Sequence, residues 1–77
     1  MRETIIDILS DLIPDFDENE QNIIDGKVLD SLRVLQLIRQ LTDEFDISIP
    51  AGEIRPRNFN SVDSIEALVK RLLDEED

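Results

Sequence analysis

The chain has 77 residues and neither cysteine nor histidine, so it lacks disulfides, thiol nucleophiles and the commonest general base. It also lacks the usual zinc, haem and iron–sulfur ligand sets. Nineteen acidic residues against eight basic ones give a formal net charge of −11, which disfavours nucleic acid and favours basic partner surfaces. Serine hydroxyls and carboxylates are what remain for covalent or acid–base chemistry, a poor kit for a self-sufficient enzyme.

A domain of this size buries only about 60% of its unfolded surface. Its residues are 40% hydrophobic and fall in helical periods, which argues for a packed core rather than acidic disorder. Met1 to Asp7 lacks the apolar run of a signal peptide and nothing approaches a membrane span, so the cytosol, without membrane insertion, is the expected location. Ile5, Ile6, Leu9, Leu12 and Ile13 share one face of a first helix that Pro14 ends. From Asp15 to Asp30 the chain is polar and acidic, with Ile23, Ile24, Val28 and Leu29 as anchors and Gly26 as a turn residue, and it reads as a long loop pinned to a core. Within it Asp15-Phe16-Asp17-Glu18-Asn19 begins like a calcium loop. The template then needs Gly at its sixth position and Glu at its twelfth, where Glu20 and Gly26 stand, so no metal site is assigned.

Asp30 caps a second helix with a broad apolar stripe of Leu32, Val34, Leu35, Leu37, Ile38, Leu41 and Phe45. Ile47 and Ile49 alternate with polar residues before Pro50 and Gly52, and Arg55 to Phe59 fits one helical turn. Asn60 or Ser61 caps a last helix whose face is Val62, Ile65, Leu68, Val69, Leu72 and Leu73. The acidic run Asp74 to Asp77 opposes the helix dipole, so that end is expected to fray. The expected core is Ile6, Leu9, Leu35, Ile38, Leu41, Ile65, Leu68 and Leu72, in one all-α domain over residues 1–77. Its three main helices and one short turn form a bundle with a long loop between helices one and two.

Asp30-Ser31-Leu32 stands where the polar loop becomes helix two, which holds the Ser31 hydroxyl at an exposed helix start. A phosphodiester built there would meet unpaired N–H groups and the positive end of the helix dipole. The plainer reading is that Asp30 and Ser31 are capping residues.

The surroundings add to this tripeptide. Ile5–Ile13, the loop, Asp30-Ser31-Leu32, Phe45, Ile47-Ser48-Ile49-Pro50 and Asn60-Ser61-Val62 occur in an order in which the sequence resembles the acyl carrier protein family over nearly its whole length. That resemblance implies an acyl-carrier-like bundle and a 4′-phosphopantetheine arm moved from coenzyme A onto Ser31 by a phosphopantetheinyl transferase. Magnesium would be supplied in the transferase complex, and Asp30 would help position that complex. The arm's thiol would hold an acyl or aminoacyl group as a thioester, with Ser31 an attachment point and no catalytic residue in the chain. An activating ligase and an acyltransferase or synthase would be the further partners of what is expected to be a monomer. The resemblance also implies partner recognition by Asp30, Leu32, Arg33, Gln36, Arg39 and Ile49. An acyl chain could enter a cleft lined by Leu35, Ile38, Ile49 and Ile65.

Two departures bear on cargo. Fatty-acid carriers usually present an acidic face on helix two, where this chain has Arg33, Gln36 and Arg39, and this favours a dedicated ligase or transferase; the alternative is ordinary solvated residues. From Phe45-Asp46-Ile47 through Pro50, Glu53, Phe59 and Asn60 the spacing is similar to D-alanyl carrier proteins, which serve teichoic acid D-alanylation, although those typically have Phe and a small residue where Leu32 and Arg33 stand. Fatty-acid, polyketide and D-alanyl pathways therefore stay open. An unmodified acidic interaction module is the rival from another class.

Overall fold

The computed structural model describes residues 1–75. Four α-helices follow one another: α1 (Arg2–Leu12), α2 (Ser31–Phe45), α3 (Pro56–Phe59) and α4 (Val62–Glu75), with a 3-10 turn at Ala51–Glu53. There is no strand among the described residues, so the fold is all-α as expected. The radius of gyration is 11.4 Å, against about 11 Å for a compact chain of this length.

Each helix end has a local cause. Ile13 precedes Pro14, is driven to extended backbone (φ −122°, ψ 112°), and its N–H donates to the Leu9 carbonyl, closing α1. α2 ends at Asp46, whose short polar side chain tolerates the left-handed conformation (φ 53°), with its N–H on Thr42 O. Pro56 supplies the first residue of α3, where its missing N–H costs nothing. Of the two candidate caps for α4, Ser61 takes the role. Its Oγ accepts from Ser64 N at 3.1 Å while Ser64 Oγ accepts from Ser61 N at 3.1 Å, a reciprocal capping box. α4 remains helical through Glu75; the rest of the acidic run, Glu76 and Asp77, lies outside the described residues.

α1 packs on α2 and α4, and α3 packs on α4. Between them lie Ile5, Leu9, Leu37, Leu41, Phe59, Ile65, Leu68 and Leu72, joined by the loop residues Ile13, Ile23, Leu29 and Ile47. Three core expectations change, and the first is Ile38, which is only half-buried at the edge of the core. Ile8 is buried and Ile6 only half-buried, so α1 turns slightly about its axis relative to the sequence reading. Leu35 is 62% exposed. Leu37 and Leu41 point at the core, and at about 100° per residue Leu35 falls roughly 160° around the helix from Leu37.

The long loop is ordered by its own backbone. Gly26 N donates to Asn22 O at 2.7 Å, Lys27 N to Ile24 O at 3.0 Å and Val28 N to Ile23 O at 3.0 Å. The left-handed residue of this turn is Lys27 (φ 59°), not Gly26. Gly26 is required for space, since a Cβ there would sit 2.7 Å from the Asn22 carbonyl oxygen. In the calcium-loop-like segment Asp17 Oδ1 accepts from Asn19 N at 2.9 Å. No three carboxylates among the described residues converge on a metal position.

Candidate functional site

Ser31 is the first residue of α2 and is exposed. Asp30 sets the helix start: its backbone is extended (φ −83°, ψ 174°), Oδ1 accepts from Arg33 N at 2.8 Å, and its carbonyl accepts from Val34 N at 3.0 Å. The N–H groups of Ser31 and Leu32 bond to no other described residue. With the helix dipole behind them they suit an anion carried on the Ser31 oxygen.

A cleft of about 250 Å³ opens beside this serine, lined by Ile24, Ser31, Val34, Ile54, Arg55, Pro56 and Phe59. These residues come from the loop, α2, the segment before α3, and α3 itself. Asn60 holds the loop side in place. Its Oδ1 accepts from Ile24 N at 2.9 Å and Asp25 N at 3.0 Å, its Nδ2 donates to Asp25 Oδ2 at 2.9 Å, and its carbonyl accepts from Ile23 N at 2.9 Å. On the opposite wall Asn58 Nδ2 donates to Glu53 O at 2.7 Å and Arg55 Nε to Gly52 O at 2.8 Å, tying the 3-10 turn to α3.

The expected cleft of Leu35, Ile38, Ile49 and Ile65 is not this one. Ile65 is fully buried in the core, Leu35 faces solvent, and Ile38 and Ile49 are half-buried against the core, so none of the four lines the space beside Ser31. Sequence reasoning missed Val34, Ile54, Arg55, Pro56 and Phe59 as its walls. The available signals were the anchor Ile24 and the helical turn at residues 55–59, which locate two walls without showing that they face Ser31.

Of the residues expected to meet partners, Leu32 (66% exposed), Gln36 and Arg39 lie with Leu35 along one outward stripe of α2. Arg33 is exposed about 100° around the helix from Leu32. Asp30 is engaged as the cap, and Ile49 is half-buried against the core. Charge is unevenly divided. Arg2 pairs with Asp63 and Glu66, Lys70 with Glu66, and Arg71 with Glu53; the hydrogen bond that Arg2 donates to the Asp63 carboxylate holds the guanidinium above its ordinary pKa. Lys27, Arg33, Arg39, Arg55 and Arg57 form no ion pair with another described residue. Residues 24–40 and 54–60 hold these five cations against Asp25 and Asp30, a net +3 within a chain of −11, so the remainder carries −14.

The family model described as "Phosphopantetheine attachment site" matches residues 2–72. A D-alanyl carrier protein of Lactobacillus delbrueckii subsp. bulgaricus is 31% identical over 78 residues, covering 99% of this chain and 98% of the relative. One from Lactococcus lactis subsp. cremoris is 33% identical over 78 residues, covering 97% and 99%. A third, from Lactobacillus acidophilus, is 30% identical over 76 residues, covering 96% of each. No solved structure gives a significant match. Matched over residues 2–72 by this model and over nearly its whole length by these relatives, the chain belongs to the family of phosphopantetheine-binding carrier proteins, with 4′-phosphopantetheine as its covalently attached group.

Proposed function

We propose that Ser31 takes the phosphopantetheine arm and that the cargo is a D-alanyl group, held as a thioester on the arm's thiol. The observation that carries the attachment is the position of Ser31: an exposed hydroxyl at the first residue of a capped helix, beside two unpaired N–H groups and at the rim of an apolar cleft. The near full-length likeness to D-alanyl carrier proteins supports the cargo. Residues 1–77 then form one carrier domain that performs no chemistry of its own and works as a monomer in the cytosol. No helix among the described residues is long and apolar enough to cross a membrane.

Three enzymes act on the chain in this reading, beginning with a phosphopantetheinyl transferase, which Asp30 helps to position, and an adenylating ligase that loads the arm. An acyltransferase then removes the cargo. The stripe of Leu32, Gln36 and Arg39 with nearby Arg33 is the face offered to them, and the partly exposed Ile49 adds to the partner contact. An apolar centre ringed by arginines calls for a partner patch that is apolar with an acidic rim.

The test is intact mass before and after incubation with coenzyme A, magnesium and a broad-specificity transferase, with Ser31→Ala alongside. A gain of one arm that the variant lacks is expected. The loaded chain is then offered ATP and D-alanine with a D-alanine-activating ligase, in parallel with a fatty-acyl donor and its own ligase. A thioester from D-alanine only is expected; loading by the fatty-acyl route alone would overturn the cargo, and no arm on a folded chain would leave an unmodified interaction module.

A further inference from the structure

Arg55 and Ser31 line the same cleft, and the other residues there are apolar. The arginine is unusually well fixed for an exposed one. Its backbone is extended (φ −129°) ahead of Pro56, its N–H donates to Glu53 O at 2.9 Å, and its Nε donates to Gly52 O at 2.8 Å. This uses one edge of the guanidinium and leaves the terminal nitrogens available. The chain is rich in carboxylates, yet Arg55 forms no ion pair with another described residue, while Arg2, Lys70 and Arg71 all do. Guanidinium groups bind phosphate oxygens through paired N–H donors, and losing less side-chain freedom on binding makes a held arginine better at it.

Resting on Ser31 as the attachment residue, we propose that Arg55 is an arm-positioning residue: it pairs with the phosphodiester on Ser31 and holds the start of the arm in the cleft. The phosphodiester brings a negative charge to a chain already at −11, and Arg55 is the cation in the cleft that receives it. The apolar wall of Ile24, Val34, Pro56 and Phe59 then covers the hydrocarbon of the arm next to the phosphate. At about 250 Å³ the cleft is below the roughly 300–1,000 Å³ of pockets that hold free ligands. A tether raises the local concentration to the millimolar range, so a weak site suffices. The arm therefore has two populations, one docked against Arg55 and one extended towards partners, and the arginine sets their ratio.

The experiment compares Arg55→Gln, Arg55→Lys and, as a control outside the cleft lining, Arg57→Gln. All are loaded to completion as judged by intact mass, and apo-form amide spectra establish that each is folded. Three readouts follow on apo and loaded forms: the loading-induced amide shifts at Ile24, Val34 and Phe59, the phosphorus resonance of the phosphodiester, and the rate at which a bulky disulfide reagent attacks the arm's thiol. Loading is expected to shift those amides in the natural protein, in Arg57→Gln and, in part, in Arg55→Lys. Arg55→Gln is expected to shrink the amide shifts, move the phosphorus resonance, and raise the docked-arm thiol's reactivity by about two- to fivefold, the range an exposed ion pair supplies. Added salt should narrow the difference between the variants. Equal loading-induced shifts and equal thiol rates in the natural protein and Arg55→Gln would overturn the proposal and leave Ser31 as the attachment residue. Failure to gain the arm's mass at Ser31 would overturn the attachment reading itself.

Discussion

Asn60 shows how much one side chain can organise. It accepts two loop N–H groups and donates to Asp25, and so fixes the loop wall of the cleft seven residues before Ser31. Asn60→Ala strands the half-buried N–H of Ile24, and a loss of about 1–3 kcal/mol is expected. A urea titration should show the midpoint falling with an unchanged slope, and an unaltered midpoint would mean that water replaces the amide without cost. The sequence offered Asn60 as one of two candidate caps and as part of a spacing pattern but not as the clamp of the loop, because its partners lie 35 and 36 residues away and local pattern carries no information about them. Gly26 was legible as a turn residue for a similar reason in reverse: turns are local, although the physical need proved to be room beside Asn22 O rather than a left-handed backbone.

At the level of helices, the three long elements were readable because apolar spacing agrees with a local boundary signal in each: Pro14 after α1, Asp30 before α2 and Ser61 before α4. Asp30 as the cap of α2 and the turn before Phe59 were found in the sequence for the same reason. The broad stripe of α2 was harder. Its apolar residues cover more than half of the helix surface, and spacing alone does not say which edge of so wide a stripe is covered by α1 and which is left for partners. The structure divides them: Leu37 and Leu41 are buried, whereas Leu32 and Leu35 are exposed. Leu37→Ala is therefore expected to cost about 2–5 kcal/mol and Leu35→Ala less than about 0.5 kcal/mol, both by denaturant unfolding. Comparable losses at the two positions would mean that Leu35 is covered in solution. The cleft was not legible because four separate segments build it, and no motif ties Ile24 or Arg55 to Ser31.

For the whole molecule, charge and size pull against each other: a small core has to hold −11 together. Raising ionic strength from 0.01 M to 1 M shortens the screening length from about 30 Å to about 3 Å and relieves self-repulsion. The melting temperature is expected to rise, by about 4–8 °C for each kcal/mol gained; a constant or falling value would mean that the surface ion pairs of Arg2, Lys70 and Arg71 outweigh the repulsion. The unequal division of cations has a further result. Net charge governs whether two molecules draw near, whereas separation of +3 from −14 within one chain gives it a handle that an external field can turn. A diffusing copy entering the field of a negatively charged patch is repelled as a body but rotated so that its serine-bearing end leads. Encounters are thereby pre-aligned before any contact is made, and two copies meeting each other lack that advantage, since their like-charged bulk keeps them apart.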